Sequence, residues 1–347
     1  MTAVFIDGFD YYTATGTGSA LPLTSRWTIS NAGSTVITTG TGRYPNSQAM
    51  YLNSNVSASG SYAQASIGST LTSLSVGFAA KIVAYTQQNT ILELFNSTGG
   101  ATQFRLDVTT AGALQLKFGP SSTVVATSSN GVIPLNTWVY IEFEAVLNST
   151  SGRLTAYVNS TQAVTNSLDT TASTGGDFIK FWTNSLSTWY LDDLYINNTA
   201  TKLGESRIIV LSPNADTAQK NFQTNPTGLA GNYAAVNGLT VNNSSFIYGG
   251  TSGWKDIYDI DDMSFNPLTI HGIQPVYTAR KDDSATIGVR MNVISGASTI
   301  NGTTNNLLQS QTDFYRYSDP IITINPATGL AWKATDINNL KMGPEII

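Results

Sequence analysis

The sequence predicts an all-β protein: two tandem antiparallel β-sandwiches closed by a short C-terminal helix. Three observations carry that expectation. Short runs rich in β-branched and aromatic residues recur along the 347 residues, separated by Gly-, Asn-, Ser- and Thr-rich turns. Hydrophobic residues make up 41% of the chain and charged residues only 11%, a balance that fills cores and leaves hydroxyls and amides to cover the outer faces. Helical spacing of apolar residues occurs in one place, near the end.

Taken in order, Val4–Phe9 opens as a strand. Ala49–Leu52, Tyr62–Ile67 and Ser73–Val83 follow, then Asn89–Asn96, Gln103–Thr109, Ala113–Gly119 and Val124–Thr127. Trp138–Leu147 has the clearest period of two. Val139, Ile141, Phe143, Ala145 and Leu147 share one face, and Trp138, Tyr140, Glu142 and Glu144 share the other, so one buried face is expected. Gly152–Asn159 pairs with it through the Asn148–Gly152 turn. Phe178–Thr183 and Ser187–Ile196 complete the first half. The turn-rich stretch Asn197–Gly204 sets the domain boundary, giving residues 1–200 and 205–347. In the second half, Glu205–Leu211 reads as a strand and Pro213–Gly231 as a polar loop. Tyr233–Val236, Ser245–Tyr248, Lys255–Ile260, Leu268–Arg280, Thr286–Ile294 and Leu307–Tyr317 read as strands. Ala331–Met342 reads as the helix, with Gly343 as its stop, and Pro344–Ile347 as a free tail or a segment that tucks into a neighbour.

Composition also limits function. The net charge is −5 and the isoelectric point about 4.8. With no basic stripe, neither nucleic acid nor an anionic membrane surface is an expected partner. Cysteine is absent, which removes disulfides and thiolate metal sites. The opening MTAVFIDGFDYY has no basic segment followed by an apolar run, so synthesis in the cytoplasm without a secretion signal is expected.

The order of several residue groups resembles a known family. Phe5-Ile-Asp-Gly-Phe-Asp-Tyr11, Arg26-Trp27, Gly42-Arg43 and Ala49–Leu52 resemble the opening of a family of phage virion proteins. Pro134–Glu142, Gly152–Asn159 and Tyr190–Ile196 continue the match. In the second half Ser206–Asp216, Asn232-Tyr233, Lys255–Tyr258, Ala279–Asp282, and Asp319-Pro with Asn325-Pro-Ala-Thr-Gly-Leu-Ala-Trp332 follow in the family's order, while Phe222 stands near where a tryptophan is expected. The resemblance implies that the first half is a concanavalin A/laminin G-like jelly roll and the second a further β-sandwich domain. It also implies a non-enzymatic structural component of a tailed bacteriophage particle, a capsid decoration (cement) or tail appendage protein located in the virion. Its partners are then other virion proteins and further copies of itself as a homo-oligomer. The alternative reading is a lectin-like, carbohydrate-binding adhesin that touches a host surface glycan.

Candidate chemistry is sparse. His271 is the single histidine, so neither a Ser-His-Asp set nor a histidine zinc site is expected. Glu142 and Glu144 share a strand face about 6.8 Å apart, compatible with a pair of glycosidase carboxyls, but a third acid and the accompanying turn are missing. They are read as part of a polar sheet face. Asp256, Asp259, Asp261 and Asp262 gather oxygens that Ca2+ uses, without the spacing of a calcium loop; a solvated turn is the preferred reading. Strand alternation sends Asp192 and Asp193 to opposite faces. Tyr11, Tyr12, Trp182, Trp189, Tyr190, Trp254 and Tyr258 are the aromatics that suit stacking on sugars or packing at an interface. No catalytic residue, cofactor or metal ligand is expected.

Overall fold

The computed structural model describes residues 2–12, 23–30, 36–54, 60–84, 86–167, 169–170, 175–183 and 187–347. The chain divides into two compact units. Residues 1–10 and 26–208 form the first, and residues 11–25 and 209–347 the second. The fold is all-β and antiparallel.

The first unit contains β1 (Ala3–Asp7), β2 (Thr28–Ser30), β3 (Val36–Thr41), β4 (Gln48–Asn53), β5 (Ser61–Leu71), β6 (Ser73–Ala84), β7 (Asn89–Asn96) and β8 (Ala101–Val108). β9 (Leu114–Phe118), β10 (Thr123–Thr127), β11 (Trp138–Val146), β12 (Arg153–Val158), β13 (Thr161–Ser167), β14 (Gly176–Thr183) and β15 (Thr188–Asn197) complete it. One sheet has eight strands in the order β13-β12-β11-β6-β15-β4-β3, with β1 also paired to β15. The other has seven, in the order β10-β9-β8-β7-β14-β5-β2. Their inner faces interdigitate through aromatic pairs: Phe143 of the eight-stranded sheet lies 4.3 Å from Phe104 of the other, and Phe78 lies 5.3 Å from Phe181. Each such ring contributes about 1.5–3 kcal/mol by leaving water.

The opening motif explains itself here. Asp7 is buried, accepts the Trp27 indole N–H at 3.0 Å and pairs with Arg26 at 3.4 Å. Trp27 then packs against Phe5 and Phe181. The strand readings of this half hold to within a few residues, but the polar edge strand β13 and the short β2 and β3 were not among them. β11 departs from expectation: Tyr140, Glu142 and Glu144 are buried as well as Val139, Ile141 and Phe143, so both of its faces are covered.

The second unit contains β16 (Pro213–Lys220), β17 (Gln223–Asn225), β18 (Phe246–Tyr248), β19 (Asp256–Ile260), β20 (Val276–Ala279) and β21 (Gly288–Ser295). β22 (Ser298–Asn301), β23 (Asn305–Asn306), β24 (Tyr315–Ser318), α1 (Ala334–Ile337) and β25 (Lys341–Ile346) follow. A six-stranded sheet runs β16-β19-β25-β21-β22 with β23 on β21, and β17-β18 and β20-β24 form two-stranded ribbons. Several local readings are corrected. Glu205–Leu211 forms no ladder, whereas the expected loop at Pro213–Gly231 contains β16 and β17. Tyr233 lies in a 3-10 turn, Asn232–Ala235. Leu268–Arg280 pairs as a strand only over Val276–Ala279, and Leu307–Tyr317 only from Tyr315.

The largest correction is at the end of the chain. The expected helix is a single turn, and the residues assigned to its stop and tail form β25, between β19 and β21. Gly343 permits this, because a Cβ there would lie 1.9 Å from the Asp256 carbonyl oxygen. The closing Asn325–Trp332 motif is a turn. Asn325 accepts from the Ala327 N–H and the Ser295 hydroxyl at 2.9 Å, and Gly329 takes a left-handed φ of 68°. The turn delivers Trp332 into a core with Val293, Ile337 and Leu340.

Candidate functional site

On the outer face of the eight-stranded sheet, residues 199–208 cover the acids of β11 and β15. Glu142 accepts the Tyr195 hydroxyl and the Gly204 N–H, both at 2.7 Å, and the Lys202 ammonium at 3.3 Å. Glu144 accepts the Lys202 N–H at 3.0 Å and the Tyr157 hydroxyl at 3.1 Å. Both oxygens of each carboxylate are engaged with protein donors. These groups hold a chain segment down, and the polar sheet face they line is buried.

Asp192 and Asp193 are also corrected. A bulge between Asp192 and Tyr195, with Asp193 at φ 53°, breaks the alternation and turns both carboxylates toward Arg43. Asp192 accepts the Arg43 N–H at 2.8 Å, and Asp193 accepts the Ile208 N–H at 2.7 Å and lies 3.5 Å from the Arg43 guanidinium. Burial, and for Asp192 the repulsion of Asp193, push both carboxyls well above the ordinary range. Arg43 also pairs with Glu205 in the covering segment.

The outer face of the seven-stranded sheet is different. Five strands contribute a continuous field of aromatic and charged groups. Cross-strand register places Gln64, Lys180, Glu93, Arg105 and Lys117 in one row. Tyr62 lies opposite Trp182, ring centres 4.8 Å apart. The Trp182 indole N–H donates to Glu93 at 2.6 Å, and Thr102 donates to the same carboxylate at 2.5 Å. Arg105 reaches Glu93 at 3.4 Å and its guanidinium carbon lies 5.7 Å from the centre of the Trp182 ring. Lys180 places its ammonium 3.5 Å from the centre of the Phe95 ring and 5.1 Å from that of Tyr62; burial among these rings pulls its pKa down. Beside them Asp107 pairs with Lys117 at 2.6 Å and accepts from Gln88 at 2.6 Å. The arrangement offers ring faces and a dense set of donors and acceptors on a rigid ladder, which is what sugar recognition uses.

Of the aromatics singled out in the sequence, Trp182 belongs to this field. Trp189 does not: it is fully buried between the sheets, its N–H on the Trp182 carbonyl. Tyr190 sits on the opposite outer face, 5.0 Å from Tyr51. Tyr258 is buried with its hydroxyl on Asp256, and Trp254 packs edge-on against Phe222. Tyr12 is buried, and Tyr11 stacks beside it and accepts from Arg316 at 3.2 Å. The aspartate group is not gathered. Asp256 is buried and accepts from Asn221, Phe222, Asn232 and Tyr258; Asp259 pairs with Lys341; Asp261 accepts the Ser212 N–H. Among the described residues no three His, Cys, Asp or Glu side chains converge as a metal site, and no helix is long and apolar enough to cross a membrane. Tyr62, Glu93, Phe95, Arg105, Asp107, Gln115, Lys117 and Lys180 went unnoticed in the sequence. Each sits at a polar or aromatic alternate position of a strand, and only the strand order brings them together.

No protein-family model matches the chain, and no curated protein does. Among solved structures, it is similar to the cellulose-induced protein Cip1, at 15% identity over 52% of this chain and 94% of that one, TM-score 0.41. It is also similar to an endo-β-1,4-glucuronan lyase from the fungus Trichoderma reesei, at 10% identity over 52% and 95%, TM-score 0.43. A third is a Bacillus subtilis protein of unknown function with a galectin-like fold, at 7% identity over 58% and 98%, TM-score 0.41.

Proposed function

We propose that this chain is a non-enzymatic structural protein of a tailed-phage particle whose first unit contacts a surface carbohydrate. The observation that carries the carbohydrate half is the Tyr62–Trp182 pair set in a row of charged side chains on the outer face of the seven-stranded sheet. The absence of catalysis is supported by Glu142 and Glu144, whose carboxylates are taken up by main-chain and side-chain donors. The particle half rests on the ordered motifs in both units. It is supported by large apolar side chains left exposed in the second unit, Leu268, Leu330, Ile324 and Leu308 among them, which suit docking on a neighbour.

Two measurements test the reading. Mass spectrometry of washed particles finds the chain in copies on the order of tens to hundreds, as symmetric assemblies imply; its absence rejects the particle role. On a glycan array the full chain binds at least one carbohydrate, and Trp182→Ala loses that binding. An array with no signal rejects the carbohydrate contact.

A further inference from the structure

We infer that the strip over β8 and β9 is a subsite for an uncharged, hydroxyl-rich sugar residue, an inference that rests on the carbohydrate-contact reading and sharpens it. Three side-chain atoms there are shielded from solvent and, among the described residues, have no hydrogen-bond partner: Arg105 Nε, Asp107 Oδ1 and Gln115 Oε1. Asp107 is 2% exposed. Asp107 and Gln115 are directly opposite on the paired strands, and Arg105, two residues along, points to the same face about 6.8 Å away. One hexopyranose ring bridges that span.

Buried polar atoms in folded proteins are nearly always satisfied, and each exception costs about 1–3 kcal/mol. Three exceptions on one sheet face, one donor and two acceptors, form a pattern that a diol completes by accepting once and donating twice. The side chains of Arg105 and Lys117 keep 28% and 17% exposure, so the strip is reached from the solvent side.

Charge chooses the ligand. Lys117 is already neutralised by Asp107 at 2.6 Å, and Arg105 by Glu93 at 3.4 Å with Ser122 at 2.9 Å. Lys180 is held among aromatic rings. The unfilled positions are two acceptors, which repel a carboxylate or sulfate and welcome a hydroxyl. The aromatic pair beside the strip supplies the apolar face for the same sugar or its neighbour.

The test is affinity electrophoresis of the full chain through gels containing soluble neutral polysaccharides (a glucan, a mannan, a galactan) or a soluble polyuronate. Retardation by a neutral polymer and none by the polyuronate is expected. Gln115→Leu then weakens retardation about tenfold, the worth of one hydrogen bond, while its melting temperature stays level or rises, since an unsatisfied group has been removed. A merely structural glutamine shows the reverse, a lower melting temperature and unchanged retardation. Retardation by the polyuronate alone, or a Gln115→Leu variant that binds as well as the parent while Trp182→Ala does not, overturns the subsite and leaves the carbohydrate contact standing. No retardation in any gel overturns both.

Discussion

The two outer faces of the first sandwich carry similar chemistry and put it to opposite uses. Each presents buried carboxylates, tyrosines and lysines on neighbouring strands. On the eight-stranded sheet Glu142, Glu144 and Asp193 receive main-chain N–H groups from residues 202–208, and so hold the chain. On the seven-stranded sheet, among the described residues, no such segment supplies donors to Asp107 Oδ1 or Gln115 Oε1. The difference teaches that a carboxylate on a strand says little until the segment that covers it is known. A covered acid is a fastening; in the proposed carbohydrate contact, one beside aromatic rings and without a covering segment serves recognition.

The comparison breaks most visibly at Glu142. Glu142→Ala strands the Tyr195 hydroxyl, the Gly204 N–H and the Lys202 ammonium, and costs about 3 kcal/mol. Denaturant unfolding measures it; a loss under about 1 kcal/mol contradicts the fastening role. Any carbohydrate binding by the folded variant stays at the parent level. Next comes Gly77→Ala. A Cβ there lies 2.1 Å from the Tyr195 ring, so the ring and its bond to Glu142 must shift, at about 1–3 kcal/mol. The same measurement decides, and a neutral result shows that the covering segment yields freely.

Much of this was legible beforehand and some was not, for physical reasons. β11 announces itself by alternation, because the face turned to the core selects apolar residues at every second position, while burial of Tyr140, Glu142 and Glu144 on its other face leaves no such mark. β13, TQAVTNS, is an edge strand whose exposed positions are Thr, Gln and Ser, and nothing local separates it from a turn. The C-terminal reading failed because local spacing around Leu340 suits a helix, while long-range pairing with β19 and β21 decides for a strand. The recognition face was invisible for the same reason. Lys180 meets Glu93, and Glu93 meets Arg105, only through register. Asp192 and Asp193 were misplaced because one bulge reverses the parity on which the argument stood.

The Asp192–Asp193 pair sharpens the comparison through pH. In the folded chain burial and mutual repulsion keep a proton on this pair above the ordinary carboxylate range, despite Arg43 and Arg207 nearby and with Asp10 adding to the repulsion. The unfolded chain has released that proton by a pH a little above 4. The folded state therefore binds more protons, and the pair's contribution to stability falls as pH rises from about 4 toward neutral and beyond. Asp192→Asn removes the repulsion, so the gap in melting temperature between variant and parent widens in the variant's favour from pH 5 to pH 8, by about 2–4 °C per kcal/mol gained. A gap that is constant with pH shows that the two acids do not share a proton.

The smallest effect belongs to the open face, at Lys180. Its ammonium lies against Phe95 and near Tyr62 and Trp182, and the lowered pKa says that burial there disfavours the charge. Lys180→Met keeps the apolar stem on the rings and deletes the charge. If this face is kept for a ligand and not for the fold, removing a buried, disfavoured charge leaves the unfolding free energy unchanged or higher. Lysine substitution on the other face, Lys202→Met, strips the ammonium from buried Glu142 and destabilises. Thermal melting of the two variants side by side settles the contrast: equal losses mean that both faces serve stability alike, and the division between fastening and recognition is then without basis.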